Sequence, residues 1–285
     1  MIRNASLWLQ DRLLRGLIWG LLRLPYARRV AVSGWVTARV IAPLAGYRRR
    51  IRDNLRLILP DLPQAEVDRL IRAVPDNVGR CFIELYSGAE FLAAARAIPP
   101  EGEGLAHLAE AADKGRPVLL ITGHFGNYEA TREALTGLGY RIGGLYRPMA
   151  NPYFNGHYVT AMGRFGTPLF PRGREGLAGM IRYLRDGGML GMVVDQHMKS
   201  GAVLRFMGHP ARTALSAADL ALKYGALMLP AYAIRQPDGI TFRTVVEAPI
   251  PPGTPEAMTQ GLNDSLEARV RAHPDQWFWI HKRWK

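Results

Sequence analysis

Five short apolar runs separated by helical patterns constrain this chain more than any other feature. Residues 116–122 (RPVLLIT), 142–146, 188–194, 227–234 and 240–246 have the length and aliphatic content of strands, and the last two flank the turn Gln236-Pro-Asp-Gly239. Between them lie helical patterns over residues 175–186 and 213–224, the second with Thr213 as its expected N-cap. Thr254-Pro255-Glu256 is a further helix start, combining a cap, a proline in the first turn and an early acid. Strands alternating with helices predict an α/β fold with a mixed, mainly parallel sheet flanked by helices. The first hundred residues read as helical: Asp61-Leu-Pro63 precedes a helix through Val67, Leu70 and Ile71, and residues 81–97 continue helical until Pro99-Pro100. With no internal repeat and no low-complexity linker, residues 27–285 are expected to form one domain behind an N-terminal helix at 1–26.

That N-terminal segment is amphipathic. Leu14, Leu17, Ile18, Leu21 and Leu22 recur at helical spacing, Arg12, Arg15 and Arg23 fall largely to one side, and Trp8 and Trp19 are suited to a lipid interface. Asp11, Arg12 and Arg15 interrupt the apolar run, which favours in-plane attachment over a span, and no small-residue cleavage site marks a secretory signal. Arg28, Arg29 and the run Arg48, Arg49, Arg50, Arg52 follow, and clustered cations beside an apolar helix gain about 1 kcal/mol each at an anionic leaflet. Over 285 residues, Lys plus Arg number 37 against 24 acids, a formal net charge of +13 that suits nucleic acid, anionic lipid, a phosphorylated substrate or an acidic protein. The single cysteine, Cys81, excludes an internal disulfide and any multi-cysteine zinc site.

The chemistry concentrates in Ile121-Thr-Gly-His-Phe-Gly-Asn-Tyr-Glu-Ala130, which follows a buried strand and precedes a helix, where α/β proteins place their sites. His124 and Glu129 are five apart, about 140° around a regular helix, so they meet only if His124 sits in a loop flexed by Gly123 and Gly126 and Glu129 in the first helical turn. In that arrangement the carboxylate fixes the imidazole tautomer, and the His takes a proton from an attacking hydroxyl. Asn127 and the glycine amides are candidate oxyanion donors. No Gly-x-Ser-x-Gly elbow supplies a serine nucleophile. His197 and His209 lack a ligand set and are expected on loops or the surface, with no metal required.

GHFGNYE (123–129) resembles the His-x4-acid motif of the lysophospholipid-type acyltransferases. Further blocks resemble the lipid A biosynthesis (late lauroyl/myristoyl) acyltransferase branch: Tyr146-Arg-Pro148, Asn151-Pro152, Met162-Gly-Arg164, Val194-Asp-Gln196, the tail Pro274-Asp-Gln-Trp-Phe-Trp-Ile-His-Lys-Arg-Trp284, and Asn54-Leu55 before Pro60. The blocks are collinear from about residue 15 to the end. The resemblance implies His124 and Glu129 as the catalytic pair and Arg164 and Asp195 as further positions tied to activity, with Arg147 in the block that resembles the family's Tyr-Arg-Pro motif. Arg147 and Arg164 suit a phosphate or carboxylate clamp; Asp195 suits orienting a loop or an arginine.

The resemblance further implies transfer of a fatty acyl group from an acyl carrier protein thioester to a hydroxyl of a phosphorylated, Kdo-bearing lipid A precursor, without a cofactor, on the cytoplasmic face of the bacterial inner membrane. Its expected partners are acyl carrier protein, anionic inner-membrane lipids and the phosphorylated acceptor, not nucleic acid. A lysophospholipid or aminolipid acceptor is the alternative within the class; a non-catalytic basic protein binding membrane or nucleic acid is the alternative outside it.

Overall fold

A continuous apolar run whose side chains point in turn to opposite faces sets the centre of the molecule. β1 (Val118–Thr122) is buried throughout, with Val118 and Leu120 on one face and Leu119 and Ile121 on the other, as the two-residue period of a strand dictates. The structure is a computed structural model describing residues 2–284; Met1 and Lys285, the outer ends of the two expected segments, lie outside the described residues. Its main sheet contains β1, β2 (Ile142–Tyr146), β3 (Leu169–Pro171), β4 (Met189–Val193), β7 (Leu227–Arg235) and β8 (Phe242–Val246), in the order β3-β2-β4-β1-β7-β8. Every pairing is parallel except β7 with β8, which turns back through residues 236–241. β5 (Ala202–Phe206) and β6 (His209–Thr213) form a separate antiparallel hairpin.

Helices cover both faces of the sheet. α10 (Arg174–Arg185), α11 (Ser216–Tyr224) and α12 (Pro255–Ala272) bury Met180, Leu184, Ala218 and Leu262 against Leu119, Ile121 and Met228. On the other face, α7 (Gly104–Asp113) and α8 (Tyr128–Thr136) bury Leu108 and Leu135 against Val118, Leu120 and Leu229. Thr254 caps α12 as its sequence predicts, its hydroxyl accepting from Ala257 N at 3.2 Å.

The N-terminal portion comprises α1 (Ile2–Leu21), α2 (Tyr26–Val36), a π-helical turn (Thr37–Ile41), α3 (Ala42–Leu44), α4 (Tyr47–Ile58), α5 (Gln64–Glu84) and α6 (Ala89–Arg96). α9 (Pro152–Met162) supports α1. The orientation of α1 is opposite to that of an ordinary core-packing helix. Its polar side faces the protein: Asp11 is buried and accepts from Arg15 at 2.7 Å, Arg15 donates to Tyr153 O at 2.9 Å, and Leu7 O accepts from Asn151 at 2.7 Å. Its apolar side, including Trp8, Leu13 (65% exposed), Leu17 and Trp19, faces outward, and among its described apolar side chains only Ile18 is deeply buried. The exposed series continues through Val32, Trp35, Val40, Ile41 and Leu44, the last 86% exposed. Among the described residues no single helix is long and apolar enough to cross a membrane; 26–44 and 47–58, bent by 87°, pass together on length and composition.

Three expectations are corrected. Thr213 does not cap α11; it ends β6, buried, because Met207 (φ 54°) and Gly208 (φ 78°) turn a tight hairpin that claims residues 209–213 as a strand. His209 accordingly lies on a strand rather than a loop. The helical run expected over 81–97 breaks between Glu84 and Ala89, at Gly88 with φ 56°.

Candidate active site

Two neighbouring strands deliver the site. In the β1–β4 pair Thr122 lies opposite Val193, so His124 and Asp195 each emerge two residues past the same rung, at the carboxyl edge of the sheet. His124 Nδ1 lies 2.7 Å from Asp195 Oδ1, and His124 N donates to Asp195 Oδ2 at 2.8 Å. Trp277 Nε1 donates to the same Oδ2 at 2.9 Å. Asp195 is 1% exposed. Burial opposes its ionisation, but the charge and hydrogen bonds of His124 outweigh that and hold its carboxyl well below the usual carboxylate range. An ionised carboxylate can only accept, so the proton of neutral His124 belongs on Nδ1 and Nε2 keeps its lone pair.

The loop carrying His124 is held from both sides. Phe278 N donates to His124 O at 3.0 Å and Gly126 N to Gln276 O at 2.9 Å, so the C-terminal segment runs antiparallel beside the loop and brings Trp277 to Asp195. Gly126 has φ 54°, and a Cβ there would fall 1.8 Å from Ala233 O, so only glycine fits. His124 opens onto a cavity of about 170 Å³ lined mainly by Val74, Val78, Cys81, Tyr128 and Phe278. Burial pushes the Cys81 thiol up to about 12, which leaves it protonated and poorly nucleophilic.

Glu129 does not pair with His124. It forms an ion pair with Arg132 at 2.7 Å, one helical turn on, and the two line a different cavity of about 150 Å³ with Gly144 and Gly191, on the other side of Tyr128. The reason is the cap: Asn127 closes the N-terminus of α8, its Oδ1 accepting from Glu129 N at 3.1 Å, and this turn directs Glu129 along α8. Burial raises the Glu129 carboxyl, against the opposing pull of Arg132. Replacing Glu129 by Ala leaves Arg132 uncompensated and is expected to cost about 3–5 kcal/mol of stability. The activity that survives should show the wild-type pH profile, because the His124 partner is intact; denaturant unfolding and pH–rate measurements on the same preparation check both.

Asn127 is likewise committed. Its Nδ2 donates to the buried Glu84 at 2.8 Å, and the Gly126 amide is taken by Gln276 O, so neither is a free oxyanion donor. Arg147, just past β2, and Arg164, in the one-turn 3-10 helix Gly163–Phe165, are exposed and make no hydrogen bond or ion pair with His124 or Asp195.

The structure also brings His281, in the C-terminal tail, to the site. Its ring stands edge-on to His124 with centroids 4.6 Å apart, and its Nε2 is buried without a hydrogen-bond partner among the described residues. No local spacing signals this, because 157 positions separate the two. Burial pushes His281 down to about 4, with Asp195 opposing and His124 and Arg283 adding to the shift. A depressed histidine takes up its proton more readily unfolded than folded, so its effect on stability is absent above about pH 6.5 and grows as pH falls towards 4. The expected loss is on the order of 3 kcal/mol between those limits; His281→Phe should flatten that part of a stability–pH curve from urea unfolding. His124, Asp195 and His281 have donor atoms within 4.8 Å of one another, the nearest approach to a metal-ligand set among the described residues, and a cation there competes with the His124–Asp195 hydrogen bond.

A carboxylate-held imidazole facing an apolar cavity can deprotonate a hydroxyl and return the proton to a leaving group. Comparison with known proteins agrees with that chemistry. The family described as bacterial lipid A biosynthesis acyltransferase matches residues 2–285. A lipid A biosynthesis lauroyltransferase of Escherichia coli (strain K12) is 24% identical, over 95% of this chain and 89% of its own. A lipid A biosynthesis palmitoleoyltransferase of the same strain is 26% identical, with the same coverage. A phosphatidylinositol mannoside acyltransferase of Mycobacterium tuberculosis (strain CDC 1551 / Oshkosh) is 23% identical, over 88% of this chain and 86% of its own.

Proposed function

The chain belongs to the family of bacterial lipid A biosynthesis acyltransferases, and from that premise we propose that it transfers a fatty acyl group from an acyl carrier protein thioester to a hydroxyl of a phosphorylated, Kdo-bearing lipid A precursor. The His124–Asp195 pair carries this reading. His124 Nε2 accepts the proton of the attacking lipid hydroxyl, and the oxygen adds to the thioester carbonyl. Asp195 stabilises the imidazolium so formed, and collapse of the tetrahedral species expels the thiolate, which takes the proton back from His124. One proton moves out and back, and no covalent acyl-enzyme intervenes. Arg147 and Arg164 are proposed to meet anionic groups of the acceptor.

The enzyme is proposed to sit on the cytoplasmic face of the inner membrane through the outward apolar side of α1 and the bend near Leu44. The inverted orientation of α1 supports this: Asp11 and Arg15 are spent on the protein, while Trp8, Leu13, Leu17 and Trp19 are left outside beside the exposed Arg12. The formal charge of +13 suits both an anionic leaflet and an acidic carrier.

A second reading, acylation of another lipid, is favoured by the phosphatidylinositol mannoside acyltransferase relative. The experiment is incubation of purified protein with acyl carrier protein thioesters of several chain lengths and either a Kdo-bearing lipid A precursor, a lysophospholipid or a phosphatidylinositol mannoside, with products identified by mass spectrometry. An ester on the lipid A precursor alone supports the first reading; an ester on another acceptor alone replaces it with the second; no ester on any acceptor sinks both.

A further inference from the structure

Beyond α5 from His124 lies a further cavity, about 820 Å³, that the acyl-transfer chemistry does not use. Arginines dominate its walls: Arg39 from the π-helical turn, Arg69, Arg72 and Arg80 from α5, Arg235 from the end of β7, and Arg243 from β8. Four are answered by acids: Arg69 by Glu66, Arg80 by Asp76, Arg235 by Glu84 and Arg243 by Glu101. Arg39 and Arg72 make no hydrogen bond or ion pair with any described residue, and both are exposed. The carboxylates in the lining are Asp76, already paired, and Asp275; His273 is pushed down by burial and carries little charge near neutral pH. Two unanswered guanidiniums from different helices thus face one concavity, which concentrates positive potential and suits an anion between them.

The wall that bears Arg39 is fixed. A Cβ on Gly79 would fall 2.3 Å from Thr37 Oγ1, and one on Gly34 would fall 2.6 Å from Asp76 Oδ1, so α2 and the π-helical turn lie directly on α5. The π-helical turn, a local widening common at functional sites, puts Arg39 on the cavity while Val40 and Ile41 stay exposed to the outside. Trp35, 57% exposed, belongs both to the cavity and to the outward apolar series that ends at Leu44. On the inner side Asn77 and Gln276 line both this cavity and the one at His124, and Asn77 donates to Gly126 O at 3.1 Å. The space therefore connects an apolar outer surface with the wall of the acyl-transfer site.

We propose that this groove seats the phosphate of an anionic lipid, gripped between Arg39 and Arg72. A planar guanidinium fork matches a phosphate monoester, and the apolar rim at Trp35 receives the start of the lipid's acyl region. A lipid fits better than an acidic protein, whose docking face would need a broad rim of free cations where most of these arginines are already paired. The proposal rests on the membrane-surface reading above, and deepens it by naming where a lipid phosphate binds.

The test needs neither a membrane nor turnover. The full-length protein is titrated calorimetrically with dihexanoyl phosphatidic acid below its micelle concentration, beside Arg39→Gln/Arg72→Gln and a charge-matched control, Arg182→Gln/Arg185→Gln, on α10. The groove variant should bind at least about tenfold more weakly, the control within about twofold of wild type, and Arg39→Lys/Arg72→Lys should recover part of the loss. Thermal melting of each variant confirms the fold. No binding by the wild type, or equal weakening in both double variants, overturns the proposal. So does a groove variant that keeps phosphatidic acid but loses acyl carrier protein in the same titration, which would make the groove a protein dock. Phosphatidic acid binding without acyl transfer would leave the groove standing and remove the proposed function; acyl transfer without phosphatidic acid binding would do the reverse.

Discussion

Asp195→Asn should lower kcat by about 10³- to 10⁴-fold while leaving the fold close to intact. The geometry fixes the sense of the change. Asp195 Oδ2 accepts from His124 N and Trp277 Nε1, so the amide oxygen of an asparagine must take that position. Its NH2 group then faces His124 Nδ1, where Oδ1 stood at 2.7 Å, and donates to it. The imidazole proton moves to Nε2, and the nitrogen that should accept the substrate proton has none of its lone pair free. Steady-state kinetics with a saturating thioester, together with a thermal melt, checks this; a loss below about tenfold would mean that Asp195 does not set the tautomer.

The second large effect is on stability. Glu84 is fully buried on α5 and accepts from Arg235 through both guanidinium nitrogens, one of them at 2.8 Å, and from Asn127 at 2.8 Å. It ties α5 to the end of β7 and to the cap of α8. Glu84→Ala strands a guanidinium that is nearly as buried, and is expected to cost about 3–5 kcal/mol, a large share of a typical domain's 5–15 kcal/mol. Urea unfolding gives the difference directly. Glu84→Leu combined with Arg235→Met should recover much of it, because the cost lies in the unpaired charge rather than in the lost attraction. If the single variant unfolds within about 1 kcal/mol of wild type, the pair carries no such load.

Much of the sheet was legible because its strands are short apolar runs buried on both faces, as at β1 and β7, where periodicity and length leave few alternatives. The β5–β6 hairpin was not, because Met207-Gly208 lacks the usual Asn-Gly turn signal and its strands are half exposed. The site shows the same division. His124 could be found from its strand–loop–helix setting, a local feature. Asp195 could be named through the resemblance but not as the partner of His124: it lies 71 residues away, and the two meet only because β4 inserts beside β1 after β2 and β3 have been laid down. Within the motif the nearest acid, Glu129, was the natural choice, and only the capping role of Asn127 shows why it turns instead to Arg132. The tail residues Trp277 and His281 reach the site through a backbone pairing with the His124 loop that no sequence spacing encodes.

A single-turnover acyl transfer from a radiolabelled acyl carrier protein thioester to the lipid acceptor, comparing wild type with His124→Ala, asks whether His124 is the base. Labelled acyl-lipid is expected from the wild type, and a rate at least about 10³-fold lower from the variant, with folding unchanged by circular dichroism. A folded His124→Ala protein that acylates the lipid at a rate near that of wild type would contradict it, and would move the chemistry away from His124 and Asp195 altogether.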